Sequence, residues 1–233
     1  MTEKIPLLLL PGLLCDEALW RPQVEGLADI AVPRVADLTQ DDSLPGMARR
    51  VLSEAPDRFA LAGLSMGGYL AQEIMREAGD RVMKLALLDT SARADTPEQA
   101  ARRRGLIELS HKGEFKGVTP RLFPIWVHPA RSEDAPLMEI VAGMARHVGK
   151  DGFLRQQTAI MGRPDGREDL RRIGIPTLVL CGRQDAATPL ALHEEIAGLV
   201  PGARFVVIED CGHLSTLEKP VSVTTALRQW LLE

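Results

Sequence analysis

Ser65, Asp185 and His213 together have the chemistry of a proton relay that turns a hydroxyl group into a nucleophile. A serine hydroxyl attacks a carbonyl only when a neighbouring base takes its proton. Histidine suits that task near neutral pH, and the imidazolium it becomes needs an acid to orient and stabilise it. Ser65 stands in Gly63-Leu64-Ser65-Met66-Gly67, after the apolar run Phe59-Ala60-Leu61-Ala62 and before the helical pattern Tyr69-Leu70-Ala71-Gln72-Glu73-Ile74-Met75. The spacing predicts a strand, a sharp turn carrying the serine, and a helix. So tight a turn strains the serine backbone and presses the positions two before and two after it against neighbouring main chain, which only Gly63 and Gly67 could accommodate. It also aims the free N–H groups and positive dipole end of the helix at any carbonyl held by the serine.

The other two members need strands of their own. Ile175 to Cys181 reads as a buried strand, with Gly182-Arg183-Gln184-Asp185 as its turn, and Thr188-Pro189 opens a helix. Ala203 to Ile208 reads as another, followed by Glu209-Asp210-Cys211-Gly212-His213 and a helical stretch from Pro220 to Leu231. Serine, acid and histidine thus fall in chain order at the ends of three strands, where an open parallel sheet collects its functional groups. Of the five histidines, His111, His128 and His147 lie between Leu88 and Ile173, and His193 falls inside a helix starting near Pro189, so His213 alone has this setting. Asp89, at the end of Leu87-Leu88-Asp89, is a competing acid.

Strands are expected near 4–10, 30–35, 58–64, 82–88, 176–181 and 203–208, with helices near 44–55, 66–78, 189–199 and 220–231. Their alternation implies a parallel sheet. Pro33 cannot donate to a ladder, which assigns the second strand to an edge.

These segments resemble the α/β-hydrolase family over nearly the whole chain. Besides the turn around Ser65, the resemblance rests on Leu9-Leu10-Pro11-Gly12-Leu13 with Trp20, Ala36-Asp37-Leu38, Gly182-Arg183-Gln184-Asp185 with Thr188-Pro189, and Gly212-His213 with Glu218 and Pro220. It implies an α/β-hydrolase fold: a mostly parallel sheet of about six strands, flanked by helices and carrying a helical lid insertion. Set against the family, this chain starts after the usual first hairpin, which would leave the strand with Pro33 at the edge. The family places an oxyanion-hole amide after a His-Gly pair on the first central strand, whereas this chain has Pro11-Gly12. By position Leu13 N–H inherits that role, with Met66 N–H as second donor and Leu14 as an alternative to Leu13.

Between Leu88 and Ile173 the strand rhythm stops and helical patterns take over at Pro97 to Ser110 and Pro136 to His147. The resemblance makes residues 92–173 the lid, and 1–91 with 174–233 the core. The lid would exclude water and shape the substrate pocket. Leu14, Leu122, Phe123, Trp126 and Met161 are candidates for a mainly apolar wall, and Ile125 joins them. Segment 92–173 holds fifteen basic and eleven acidic residues. Its arginines could meet an acidic group on a substrate, such as a carboxylate at the far end of an acyl chain, but Arg102-Arg103-Arg104 must point different ways on a helix and reads first as a solvated surface, so no substrate is chosen from this charge.

With 233 residues the chain fits one domain with an insertion, and its net charge of −4 does not favour a polyanion-binding surface overall, so nucleic acid is not expected as a partner. Three widely separated cysteines, Cys15, Cys181 and Cys211, suit a reducing compartment, and the expected location is the cytoplasm. Cys15 and Cys211 lie near the proposed site, but neither is on the turn that would make it a nucleophile. The apolar stretch Ile5 to Leu14 is too short for a membrane span. Glu3 offsets Lys4, and no small-residue cleavage site follows, so it reads as the first strand rather than a signal peptide. No metal-ligand spacing or phosphate-binding glycine loop occurs, and no cofactor is expected.

The sequence therefore points to a serine hydrolase acting on small carboxylic esters. Carbon-carbon bond hydrolases, lactonases, haloperoxidase-like enzymes and acyltransferases could use the same three groups. A small-molecule receptor with vestigial turnover is the non-enzymatic alternative. Acyl and alcohol specificity, and the choice between monomer and homodimer, stay open.

Overall fold

The nearly unbroken apolar runs at Ile5, Phe59, Val82 and Thr177 become strands because a parallel sheet covered on both faces can bury every side chain it carries. In a computed structural model describing residues 4–113 and 115–233, the strands are β1 (Ile5–Leu10), β2 (Ala31–Val35), β3 (Phe59–Leu64), β4 (Val82–Leu88), β5 (Thr177–Gly182) and β6 (Arg204–Ile208). They form one sheet in the order β2-β1-β3-β4-β5-β6, with every adjacent pair parallel. Pro33 sits opposite Leu7 on edge strand β2, where its missing N–H breaks no central ladder.

The helices are α1 (Arg21–Leu27), α2 (Leu44–Glu54), α3 (Met66–Ala78), α4 (Pro97–Lys112), α5 (Ala135–Met161), α6 (Arg167–Leu170), α7 (Leu190–Leu199), α8 (Ser215–Glu218) and α9 (Pro220–Leu232). Alternation along the strands divides the core into two layers. Leu7, Leu9, Ala62 and Leu180 pack with Trp20, Leu27, Leu227 and Trp230 on one face, while Leu8, Leu10, Leu61 and Val179 pack with Met47, Leu70, Ile74 and Ile196 on the other. The short helices α1, α6 and α8 escape the sequence reading. Pro22 and Gly26 make α1 a poor helix by propensity, and burial of Gln23 and Leu27 stabilises it.

Between β4 and β5 the described residues form α4, α5 and α6 joined by loops and short 3-10 turns, with no strand. Thr96 and Gln99 form a reciprocal capping box that starts α4. α5 runs well past the expected stop at His147, to Met161, with a break at Gly149, whose φ is +68°. A break there rotates the buried face, so no single helical period spans both halves.

Candidate active site

Ser65 sits between the last residue of β3 and the first of α3, with φ 54° and ψ −114°. A Cβ on Gly63 would stand 2.2 Å from the Gly67 carbonyl oxygen, and one on Gly67 would stand 2.1 Å from that of Leu10. The surrounding sheet therefore enforces the strained backbone of the serine. The Ser65 N–H donates to Leu88 O, and its own carbonyl accepts from Gly68 N–H and the Thr90 hydroxyl, so both sides of the turn are tied down.

The loops after β5 and β6 bring the other two groups to the same place. Ser65 Oγ lies 2.9 Å from His213 Nε2, and His213 Nδ1 lies 2.8 Å from Asp185 Oδ2. Asp185 Oδ1 accepts the N–H groups of Ala187 and Thr188, and Oδ2 also accepts the Thr188 hydroxyl at 2.6 Å. The two loops are stitched together through Gln184, whose N–H donates to Cys211 O and whose side-chain oxygen accepts Cys211 N–H. Burial pushes the His213 imidazolium down, but the charge and hydrogen bond of Asp185 outweigh it and the net shift is upward. Burial likewise pushes Asp185 up, and His213 and Thr188 outweigh it, leaving the carboxyl below its ordinary range.

Asp89 is placed differently. It follows β4 with φ 44°, its Oδ1 accepts Gly182 N–H at 3.0 Å and its Oδ2 accepts the Ser215 hydroxyl at 2.5 Å. Burial first, and the charge of Asp185 second, hold its carboxyl well above the ordinary range. Glu218 grips the histidine loop from behind by accepting the N–H groups of Gly212, Leu214 and His128. Trp126 O accepts both His213 N–H and Leu214 N–H, joining that loop to the helical insertion.

The loop after β1 answers a question that its sequence leaves open. Leu14, at φ 59°, donates its N–H to Gln156 Oε1 at 2.9 Å, and Gln156 Nε2 donates in turn to Leu38 O. Leu14 N–H is thereby occupied and unfit as an oxyanion donor. Leu13 N–H and Met66 N–H have no partner among the described residues. No sequence signal marks Gln156, which acts across 142 residues.

Two cavities meet at Ser65 and His213. The larger, of about 510 Å³, lies under the insertion and takes in Leu14, Leu122, Ile125 and Trp126. The smaller, of about 30 Å³, is bounded by Gly12, Cys15, Val141 and Leu214. Two expected wall residues belong elsewhere. Phe123 is completely buried and packs into the sheet core, where full burial of its ring is worth roughly 2 kcal/mol or more. Met161 ends α5, and its neighbour Ile160 takes the wall position, since adjacent helical residues point about 100° apart.

Burial raises the Cys15 thiol to about 12 and pushes that of Cys211 higher still, so neither is a thiolate near neutral pH. His193, a residue of α7, is buried, and its Nε2 accepts Thr90 N–H at 2.7 Å. Among the described residues no cluster of His, Cys, Asp and Glu could hold a metal ion, and no helix is long and apolar enough to cross a membrane. The hydrogen-bonded chain can move a proton from a serine hydroxyl to an imidazole paired with a carboxylate.

Residues 7–226 match the model of the Alpha/beta hydrolase family. A thermophilic esterase from Thermogutta terrifontis, solved with malate bound, superposes with a TM-score of 0.87 at 32% identity, over 98% of this chain and 89% of that one. An enol-lactonase from Burkholderia xenovorans LB400 also superposes at 0.87, with 25% identity over 99% of this chain and 92% of its own. The pimeloyl-[acyl-carrier protein] methyl ester esterase of Nitrosomonas europaea is 25% identical over 92% of this chain and 90% of its own.

Proposed function

The chain belongs to the alpha/beta hydrolase family and is a hydrolase, and from that premise we propose that it cleaves small carboxylic esters through an acyl-enzyme on Ser65. The observation that carries this reading is the continuous path from Ser65 Oγ through His213 to Asp185, with 2.9 Å and 2.8 Å links. With Nδ1–H donated to Asp185, the Nε2 of neutral His213 accepts the Ser65 proton as Oγ attacks the carbonyl carbon. Leu13 N–H and Met66 N–H hold the oxyanion, each worth roughly 3 kcal/mol of barrier. Collapse of the tetrahedral intermediate expels the alcohol, which takes its proton from His213 Nε2. Water, deprotonated by the same nitrogen, then attacks the acyl carbon, releases the acid and restores the Ser65 hydroxyl.

Segment 92–173 serves as the lid, roofing the larger cavity and excluding bulk water. The unequal cavities support a substrate that is small on one side of its scissile bond. A volume near 30 Å³ accepts a methyl or similarly small group, and about 510 Å³ accepts a longer arm. The three relatives named above bear the names of esterases and an enol-lactonase, activities that share cleavage of an acyl C–O bond.

The test is steady-state hydrolysis of methyl esters of increasing acyl length by wild type and Ser65→Ala, with fluorophosphonate labelling of both. Turnover and labelling lost together in the variant support the acyl-enzyme. A Ser65→Ala protein that still hydrolyses esters at the wild-type rate rejects it.

A further inference from the structure

One wall of the larger cavity carries a positive charge that its own partners leave uncancelled. The Asp95 side chain is only 2% exposed and touches two guanidinium groups, Arg103 Nε at 2.7 Å from Oδ2 and Arg163 Nη1 at 2.7 Å from Oδ1. One carboxylate between two guanidinium groups leaves a net charge of one. Arg163 is structurally committed, since it donates to the carbonyls of Arg93 and Ile160 and lies over the Tyr69 ring at 4.2 Å.

Arg103 is the open member. Its Nη1 donates to Gln157 Oε1 at 2.8 Å, and its Nη2 has no partner among the described residues. The Gln157 side-chain nitrogen and the Tyr69 hydroxyl have none among them either, and all three residues line the cavity that contains Ser65. Gln157 is 1% exposed and Tyr69 7%, so their unpartnered donors face the cavity rather than the outer surface. The described lining of that cavity includes Arg102, Arg103 and Lys116 but no aspartate or glutamate. Tyr69 stands one helical turn beyond Ser65, which puts the donor cluster within a short chain's reach of the scissile carbonyl.

Resting on the ester-hydrolase reading above, we propose that Arg103, Tyr69 and Gln157 form a carboxylate subsite, so that the preferred substrates carry a carboxylate at the far end of the arm in the larger cavity. A planar monoanion matches one free guanidinium edge, two neutral donors and a single excess charge. The remaining apolar wall, with Leu122, Ile125 and Trp126, suits the methylenes between the two ends.

The experiment compares kcat/KM for methyl half-esters of succinate, glutarate and adipate with that for methyl esters of monoacids of equal length. Acetate esters of ω-hydroxy acids are assayed beside their uncharged analogues, in case the small cavity takes the acyl group. At least one carboxylate series is expected to exceed its neutral counterpart by about 10- to 100-fold, as one charge-assisted contact allows. Arg103→Gln should bring the ratio near one. Tyr69→Phe, which leaves the ion pairs intact, should lower it several-fold, and Arg104→Gln on the outer face of α4 should leave it unchanged. Calorimetry on Ser65→Ala with glutarate, and separately with inorganic phosphate, reads binding without turnover. Neutral esters hydrolysed as well as charged ones, with no Arg103-dependent glutarate binding, would overturn the subsite and leave the hydrolase reading intact. Phosphate bound more tightly than glutarate overturns its assignment to a carboxylate. Arg103-dependent glutarate binding, in a protein that hydrolyses no ester and resists fluorophosphonate, supports the subsite and rejects the acyl-enzyme.

Discussion

Asp185 Oδ2 and His213 Nδ1 stand 2.8 Å apart in side chains that are 0% and 2% exposed, so their interaction is screened by protein rather than by water. The pairing raises the histidine and lowers the carboxyl. In the proposed mechanism His213 must be neutral to accept the Ser65 proton, so activity should fall as pH drops through the raised histidine value. The acid limb of kcat/KM should therefore have its midpoint above 6.5. Asp185→Asn should move that midpoint down and lower kcat by about 10³- to 10⁴-fold. Asp89→Asn should lower kcat far less than Asp185→Asn does, since Asp89 contacts Gly182 N–H and the Ser215 hydroxyl rather than His213. Greater loss at Asp89 than at Asp185 would exchange their roles.

Glu218 joins three backbone N–H groups from two loops, those of Gly212, Leu214 and His128. Glu218→Gln leaves one carboxamide nitrogen facing a backbone donor, at a cost of about 1 to 3 kcal/mol. Urea unfolding should register that loss, and a lower kcat should accompany it, because the amide contacts flank His213. Unchanged kcat in a destabilised variant would confine Glu218 to stability.

Gly67→Ala forces a methyl group to 2.1 Å from Leu10 O, and the sheet cannot yield without breaking the β3 to α3 turn. The expected cost is at least about 3 kcal/mol. Gly12→Ala meets nothing nearer than 3.5 Å and should stay within about 1 kcal/mol of wild type. Equal melting temperatures for the two variants would contradict the close approach at Gly67.

His193 is lowered to about 4, chiefly by burial, whereas in the unfolded chain it titrates near 6.5. Its folded value is depressed, so the unfolded state binds the extra proton first. Stability is thus retained above 6.5 and lost as pH falls from 6.5 towards 4, by on the order of 3 kcal/mol. In urea titrations at pH 7 and 4.5, His193→Gln should show a smaller drop than wild type across that window, even though it starts lower for want of a good acceptor for Thr90 N–H.

The amino-acid sequence alone determined the strands, the turn at Ser65 and the edge position of β2. These depend on local causes: apolar runs long enough for buried strands, glycines where no Cβ fits, and a proline without an N–H. Strand order along the chain also placed Asp185 and His213 at one rim, as parallel crossovers require. Tertiary structure decided what depends on side-chain direction. Asp89 and Asp185 end neighbouring strands and are alike in sequence, yet Ser215 and Gly182 take up one carboxyl group while His213 and Thr188 take up the other. Gln156 engages Leu14 N–H from 142 residues away, a contact with no local signature. In segment 92–173 the helices lack a strong apolar stripe, so packing against the core, rather than periodicity, buried Phe123, turned Ile160 instead of Met161 to the cavity, and put Arg103 beside Asp95. A side chain's neighbours there come from distant chain segments, and only folding brings them within reach.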